Sequence, residues 1–345
     1  MGQGRLWIDR LPDELGGQQA IMRRLLAFSE ADPDVCWLAI GCSVARGAGD
    51  RMSDLDMGIG VREEVFEAAR DRIRLAADGL GELVESYHHQ LPGVPPPHER
   101  VFAQYADGCQ LDLVILPAVL PGGPLPRTVM LYDRDGQSAA AVAGAAVAGA
   151  AAGSGTATSN GPGRAAEHGI TADEGRAGAA DGGPAASDGP APAAGGRSAG
   201  NAAGAGDGVV TETPGPGAGQ LREWAFGGWC ALADLAKYVR RGSVWEALDR
   251  LHEGRTQLWR LHAAASGIAD PQYGLTSVLD FAPDDIPGGI EGTVAGLSLP
   301  SLLAAARQVA RLLTATGKRL PAGAQAALPH AMATYVTQLL DSIEL

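Results

Sequence analysis

Apolar and polar residues alternate on a strand-like spacing in the first part of the chain. Six segments are predicted to be strands: Val35–Ile40, Leu55–Val61, Glu82–His88, Val101–Tyr105, Leu111–Leu116 and Val129–Tyr132. Between the second and third, residues 63–77 place Val65, Ala69 and Ile73 at helical spacing. Asp107-Gly108 lies between the fourth and fifth, and this dipeptide is typical of a tight two-residue hairpin turn. The pattern predicts a mixed sheet with few helices.

The last third of the chain has a helical period instead. Four helices are predicted: Leu221–Arg241, Ser243–Ala265, Leu302–Ala315 and His330–Ile343. Gly242 is placed to end the first helix, and Ser243-x-x-Glu246 has the form of a capping box for the second. The tryptophans of this part are predicted mostly in its core: Trp224, Trp229, Trp245 and Trp259. The predicted class is α+β, with a mixed sheet followed by an all-α helical bundle.

Residues 137–218 separate the two parts and have a very different composition. They contain 27 Ala and 20 Gly among 82 residues, and no Phe, Trp, Tyr, Leu or Met. Such a segment cannot bury enough apolar surface to offset the entropy lost on ordering. We therefore predict a disordered insert between a domain at 1–136 and a helical domain at 219–345, the latter closing a substrate cleft.

Charge and cysteine content narrow the classes of function. The net charge is −13, which disfavours nucleic-acid binding and tolerates a cationic or neutral substrate. The cysteines are scattered without zinc-like spacing, which predicts reduced thiols: Cys36, Cys42, Cys109 and Cys230. No apolar run has the length of a membrane span, and no signal peptide is recognisable at the start, so we expect a cytoplasmic protein.

Acidic residues cluster where the second strand begins. Asp54 and Asp56 are two residues apart, so their side chains point to the same face of a strand. Hard oxygen ligands of this kind suit Mg²⁺, which fills the rest of its shell with water and substrate phosphates. Asp112 is the one charge in an otherwise apolar predicted strand, where an uncompensated carboxylate is costly. It is the candidate for a third metal-binding carboxylate.

The turn after the first strand is a candidate anion site. Backbone N–H groups, the Ser43 hydroxyl and the start of a helix would together bind a triphosphate. Arg46 can add a charge-assisted hydrogen bond. A phosphate site is thus predicted beside a metal site.

The segment Ser43-Val44-Ala45-Arg46-Gly47 followed by Ser53-Asp54-Leu55-Asp56 resembles the signature of the polymerase-beta-type nucleotidyltransferase superfamily. With a helical second domain, it is similar to the small-molecule branch that includes aminoglycoside and lincosamide nucleotidyltransferases. In the helical part the resemblance rests on a vaguer pattern at 229–237, 241–242 and 245–248. One departure is that Cys42 occupies the place of the glycine that usually precedes the serine, with Gly41 one position earlier.

The resemblance implies an activity and roles for particular residues. Asp54, Asp56 and Asp112 would bind two Mg²⁺ ions, and Asp112 would orient or deprotonate an acceptor hydroxyl. The reaction would be in-line attack on the α-phosphorus of ATP or another NTP, with pyrophosphate leaving. The acceptor would be a hydroxyl of a small molecule, such as an antibiotic. The nucleotide-binding residues would be these: Gly41, Ser43, Arg46, Gly47 and Lys237.

Several alternatives remain open from the sequence. Lys237 is either a residue that reaches the triphosphate or a surface lysine. Arg255 and His262 share one helix face and resemble the Arg-x(4 to 6)-His motif of HEPN ribonucleases. That motif would favour a toxin–antitoxin-like protein acting on a protein or RNA. Cys42 would suit a catalytically dead nucleotide-binding module, and Glu85 is a second candidate base.

Overall fold

The computed structural model describes residues 2–91, 98–118, 128–134 and 215–345. All of these lie within one compact unit. The predicted insert falls outside the described residues up to 214, so its disorder stays a prediction. Residues 215–217 lead into a helix that begins at Ala218. The proposed domain boundaries at 136 and 219 likewise stay predictions.

Six strands form one mixed sheet, as the apolar pattern predicts. They are β1 Val35–Ile40, β2 Leu55–Val61, β3 Leu83–Leu91, β4 His98–Tyr105, β5 Gln110–Pro117 and β6 Val129–Asp133. Their order across the sheet is β3-β4-β5-β2-β1-β6. The β2–β5 pair is parallel, whereas the other neighbours are antiparallel.

Four helices accompany the sheet, and the sequence analysis identified one of them. They are α1 Gln3–Ile8, α2 Gly16–Ala31, the one-turn α3 Cys42–Ala45 and α4 Phe66–Asp78. The predicted helix at 63–77 is α4, preceded by a 3₁₀ turn at Glu63–Val65. Ile21, Met22 and Leu25 from α2 join Ala69 and Ile73 from α4 in the core of this half.

The two faces of the sheet have different partners because strand side chains alternate. The core with α2 and α4 contains the odd-numbered residues of two neighbouring strands: Leu55, Met57, Ile59 and Val61 of β2, with Leu111, Leu113 and Ile115 of β5. Asp56 and Asp112 therefore lie on the opposite face. On that face, Phe102 of β4 and Tyr87 of β3 pack against a second core that is made by the C-terminal helices.

Those helices form a bundle, and the α+β prediction is confirmed. The bundle contains α5 Ala218–Arg241, α6 Val244–Ala265, α7 Leu275–Phe281, α8 Leu299–Gly317, α9 Ala322–Ala326 and α10 His330–Asp341. Short 3₁₀ turns lie at Pro271–Tyr273 and Ile290–Thr293. Gly242 ends α5 with φ +75°, as predicted for a left-handed C-cap. No helix among the described residues is long and apolar enough to cross a membrane.

Three local expectations differ from the structure. Ser243 precedes α6, but its side chain caps no backbone N–H, so the capping box does not form. Trp245 is 69% exposed, whereas the other three tryptophans expected in this core are buried. The β4–β5 turn has a three-residue loop rather than a two-residue one, because Tyr105 N–H donates to the Cys109 carbonyl. Gly108 takes the positive φ of +92° that such a loop requires.

Candidate active site

The parallel pairing of β2 and β5 brings two of the predicted carboxylates side by side. Asp56 and Asp112 are register partners, so both point to the face that the bundle covers. Partners on adjacent strands are about 4.8 Å apart along the hydrogen-bonding direction. Burial raises the pKa of Asp56, and the charge of Asp112 raises it further. Asp56 makes no ion pair among the described residues, and its pKa stays raised although the charges of Arg100 and Lys237 act to lower it.

Asp54 precedes β2 by one residue and is held by a lysine from the bundle. Lys237 Nζ on α5 donates to Asp54 Oδ1 at 2.6 Å and contacts Asp234 Oδ1 at 2.7 Å. It also donates to Gln110 Oε1. The Lys237 side chain is 13% exposed, so the surface-lysine alternative is wrong. Burial acts to lower the pKa of Lys237, but Asp234 and Asp54 raise it above its ordinary value and keep the ammonium charged.

Burial also affects the partner carboxylate. It raises the pKa of Asp54, with Lys237 acting in the opposite direction and Asp234 and Asp56 adding to the rise. The lysine thus offsets only part of the cost of desolvating two carboxylates. A further positive charge at this place would be favourable.

Asp112 has its own cation. Arg100 on β4 donates from Nε to Asp112 Oδ1 at 2.7 Å and from Nη2 to Oδ2, which is a bidentate pair. The Asp112 side chain is 14% exposed. Arg100 is a residue that the sequence analysis missed, and its position follows from the β4–β5 register, which sets Arg100 beside Val114 and Phe102 beside Asp112.

The turn after β1, which is the candidate anion site, leads directly into the single helical turn α3. Gly41 is the N-cap of α3, and no side chain caps this helix, so Ser43 is not an N-cap. A single turn of helix has a small macrodipole, which leaves the Ser43 hydroxyl, Arg46 and the first backbone N–H groups as anion-binding groups. Ser43 and Arg46 make no side-chain hydrogen bond to another described residue. Gly41 N–H donates to the Asp56 carbonyl at 2.8 Å, which fixes the turn to β2.

Cys42 has a strained backbone and contacts Asp56. Its φ is +53°, in the left-handed region that glycine prefers. Partial desolvation and the adjacent Asp56 raise the pKa of the Cys42 thiol to about 11, so the thiol stays protonated and donates to the Asp56 carboxylate. The residue that departs from the family pattern is therefore in contact with the candidate site.

The loop that carries Asp54 is anchored from two sides. Arg241 Nε at the end of α5 donates to Asp50 Oδ2 at 2.9 Å. Gln18 on α2 donates from Nε2 to the Arg51 carbonyl at 3.0 Å and the Ser53 carbonyl at 3.1 Å. The hydrogen bond from Arg241 lowers the pKa of Asp50. Lys237 and Arg241, four residues apart on α5, thus both hold this loop.

The resemblance implies Mg²⁺ at this site, and the oxygen donors present here are of the kind that Mg²⁺ binds. Asp54 and Asp56 offer carboxylate oxygens in a pocket with excess negative charge, and this fits a hard cation. Among the described residues no group of three or more His, Cys, Asp and Glu has the arrangement of a complete metal site. Both oxygens of Asp112 are engaged by Arg100. The chemistry of Asp54 and Asp56 therefore suits a hard cation, and the roles of Asp54, Asp56 and Asp112 as metal ligands stay predictions.

A polar cavity of about 410 Å³ lies beside the β4–β5 turn, and its wall includes Lys237 and Gln110, which contact each other. Arg51, Arg240 and Tyr335 also line it, together with the acidic Asp107. Arg51 and Arg240 make no ion pair with another described residue. The volume is in the range of small-molecule sites.

The HEPN-like pair is not arranged as a site. His262 is 1% exposed, and its Nε2 lies 2.7 Å from the Asp285 carbonyl oxygen. Its Nδ1 lies 3.2 Å from Nη1 of Arg319. Both ring nitrogens are therefore occupied within the bundle. Glu85 is paired with Arg222, whose Nη2 donates to it at 2.6 Å.

No family model and no curated protein matches the chain. A crystal structure of an aminoglycoside 6-adenyltransferase from Bacillus subtilis aligns with 94% of this chain and 98% of its own, at 12% identity and a TM-score of 0.30.

Proposed function

We propose that this protein is a nucleotidyltransferase that transfers a nucleoside monophosphate, AMP from ATP, to a hydroxyl of a small molecule. The observation that carries the proposal is the β2–β5 register, which sets Asp56 beside Asp112, with Asp54 directly before β2 and the Ser43–Arg46 turn directly after β1. Lys237 pairs with Asp54 and Arg100 pairs with Asp112, whereas Asp56 has no ion pair among the described residues, so a further cation here would be favourable. The Ser43–Arg46 turn, joined to Asp56 through Gly41, supports a nucleotide whose phosphates would share that cation.

The chain's own residues would have separate tasks. The Ser43 hydroxyl, Arg46 and the backbone of the turn would bind the triphosphate, and Lys237 would add positive charge from the bundle. Asp54 and Asp56 would hold Mg²⁺, which when bound neutralises phosphate charge and activates oxygen nucleophiles. Asp112, fixed in orientation by Arg100, would accept a hydrogen bond from the acceptor hydroxyl with a lone pair that the guanidinium leaves free. The α5 helix would exclude water from the cleft.

Acidic residues on the bundle support a cationic acceptor. Burial raises the pKa of Glu253, Arg250 acts against this, and Asp234 and Asp249 add to the rise. Arg250 Nη1 donates to Glu253 Oε2 at 2.5 Å, and the charge of Arg100 also acts to lower the pKa of this carboxyl. A positively charged amino group on the acceptor would relieve this repulsion. An amino-sugar antibiotic has such groups, and we propose that class as the first to be tested.

The test is release of pyrophosphate from labelled ATP with Mg²⁺ and a panel of hydroxylated acceptors. We expect Asp54→Ala and Asp56→Ala to lose turnover by at least about a thousandfold while keeping the far-UV circular dichroism spectrum. Asp71→Ala on the exposed side of α4 is the matched control and should stay active. No release with any acceptor, or full activity of Asp56→Ala, would contradict the proposal.

The same assay separates the alternatives. Label on a protein or RNA, instead of on a small molecule, would favour the toxin–antitoxin-like function. Calorimetric binding of ATP without any turnover would favour a dead nucleotide-binding module.

A further inference from the structure

We infer that Lys237 is a positioning residue that holds Asp54 until a divalent cation displaces it, so that cation binding releases the ammonium toward the adjoining cavity. The inference rests on the proposed function, since there Asp54 is a cation ligand. It adds an order of events: cation first, polyanion second.

The contacts of Lys237 use its entire hydrogen-bonding capacity. An ammonium group has three N–H donors and no acceptor. Here the three acceptors are Asp54 Oδ1, Asp234 Oδ1 and Gln110 Oε1. Lys237 therefore cannot bind a phosphate oxygen without giving up one of these partners. The partner that a cation would take is Asp54.

A cation that takes Oδ1 of Asp54, alone or together with Oδ2, competes with the ammonium for that oxygen. Nζ lies 2.6 Å from Oδ1, and Mg²⁺ binds carboxylate oxygen at about 2.0–2.1 Å. Two positive centres on the same oxygen repel strongly in a cleft that excludes water. Asp234 and Gln110 remain available, so Lys237 stays tethered to α5 and to the start of β5 after release.

The released ammonium has an anion-binding environment at hand. Lys237 forms part of the wall of the 410 Å³ cavity, where Arg51 and Arg240 have no ion-pair partner among the described residues and Asp107 is the acidic residue of the lining. Freed from Asp54, Lys237 would add a third positive charge to these two guanidinium groups. The cavity would thus attract a polyanion more strongly after a cation binds, which couples the two ligands through one side chain.

The chain allows a direct spectroscopic test because it contains only two lysines, Lys237 and Lys318. With [ζ-¹⁵N]lysine, the buried ammonium should give one protected signal and the exposed Lys318 one exchange-broadened signal, assigned with Lys318→Arg. Adding Mg²⁺ without nucleotide should shift the Lys237 signal and leave Lys318 unchanged. The shift should be absent in Asp54→Asn. An unshifted Lys237 signal at saturating Mg²⁺ would overturn the inference.

Mn²⁺ binding without nucleotide, measured by electron paramagnetic resonance of the free ion, gives the second readout. Lys237→Met should bind Mn²⁺ about tenfold tighter than the unmodified protein, because the competing ammonium is gone. Lys318→Met removes an exposed lysine that does not contact Asp54, and it should change the affinity by less than about threefold. Equal effects of both variants would indicate that removing any positive charge strengthens Mn²⁺ binding, and this would overturn the displacement of Lys237 by the cation.

These measurements distinguish a failure of the proposed function from a failure of the displacement of Lys237. If Mn²⁺ binds neither the unmodified protein nor Lys237→Met, the cation role of Asp54, and with it the proposed function, is wrong. If Mn²⁺ binds in an Asp54-dependent way but Lys237 does not respond, only the displacement is wrong.

Discussion

The strain at Cys42 leads to a prediction that two variants can isolate. Cys42→Gly and Cys42→Ala both remove the thiol and its contact with Asp56. They differ in how each tolerates the φ of +53°. A residue with a Cβ pays roughly 1–2 kcal/mol in the left-handed region. Glycine avoids this cost but loses about 0.4–1 kcal/mol more backbone entropy on folding.

The midpoints of the two ranges leave Cys42→Gly more stable than Cys42→Ala by about 0.8 kcal/mol. For a protein of this size the corresponding difference in Tm is about 1–4 °C. Urea unfolding followed by tryptophan fluorescence measures it. An alanine variant as stable as the glycine variant would refute the claim that backbone strain is stored here.

The Cys42→Gly and Cys42→Ala variants also test whether the Cys42 side chain hinders ATP binding at the Ser43–Arg46 turn. If the side chain crowds the triphosphate, Cys42→Gly should bind ATP more tightly than the unmodified protein, and Cys42→Ala should lie between them. Calorimetry with Mg²⁺ present gives the three affinities. A tighter alanine variant would show that the backbone conformation, rather than bulk, limits binding.

Two further predictions concern stability. Hydrogen bonding to Arg72 lowers the pKa of Asp32. The free energy that this pair adds to folding is therefore fully present above the unfolded-state pKa of Asp32 and is lost as the pH falls through the lower folded-state pKa. In urea unfolding between pH 7 and pH 2, Arg72→Met should lose less stability toward acid than the unmodified protein. A Cβ at Gly60 would overlap the Trp37 indole, whereas one at Gly58 would lie 3.4 Å from it. In thermal or urea unfolding, Gly60→Ala should lower the free energy of unfolding by about 1–3 kcal/mol more than Gly58→Ala. Equal losses in the two variants would contradict the packing described.

The sheet and its acidic edge follow from local sequence. The period-2 alternation that buries Leu55, Met57 and Ile59 necessarily sends Asp56 to the other face, and β5 repeats this with Asp112. The alignment of the two carboxylates needed only a parallel β2–β5 pairing. The helix α2 was missed because Gln18 and Gln19 occupy buried positions on it, which breaks the apolar period.

The partners of the carboxylates could not be predicted from the sequence, since they depend on register and on long-range packing. A two-residue turn at Asp107-Gly108 would have set Ala103 opposite Asp112 and turned Arg100 to the other face. The observed three-residue loop shifts the register by one and makes the Arg100 pair possible. Asp234, three residues before Lys237 on one helix face, was the one local signal that this lysine is not a free surface group.

The contacts between α5 and the loop before β2 determine what a fragment of the protein would retain. Asp54 depends for its surroundings on a helix that begins more than 160 residues later in the chain, through Lys237 and Arg241. A fragment that ends before α5 would keep its acidic residues and lose the ammonium that balances them. The chemistry of this chain therefore belongs to neither half alone, and substitutions deep in the bundle can alter it without touching the sheet.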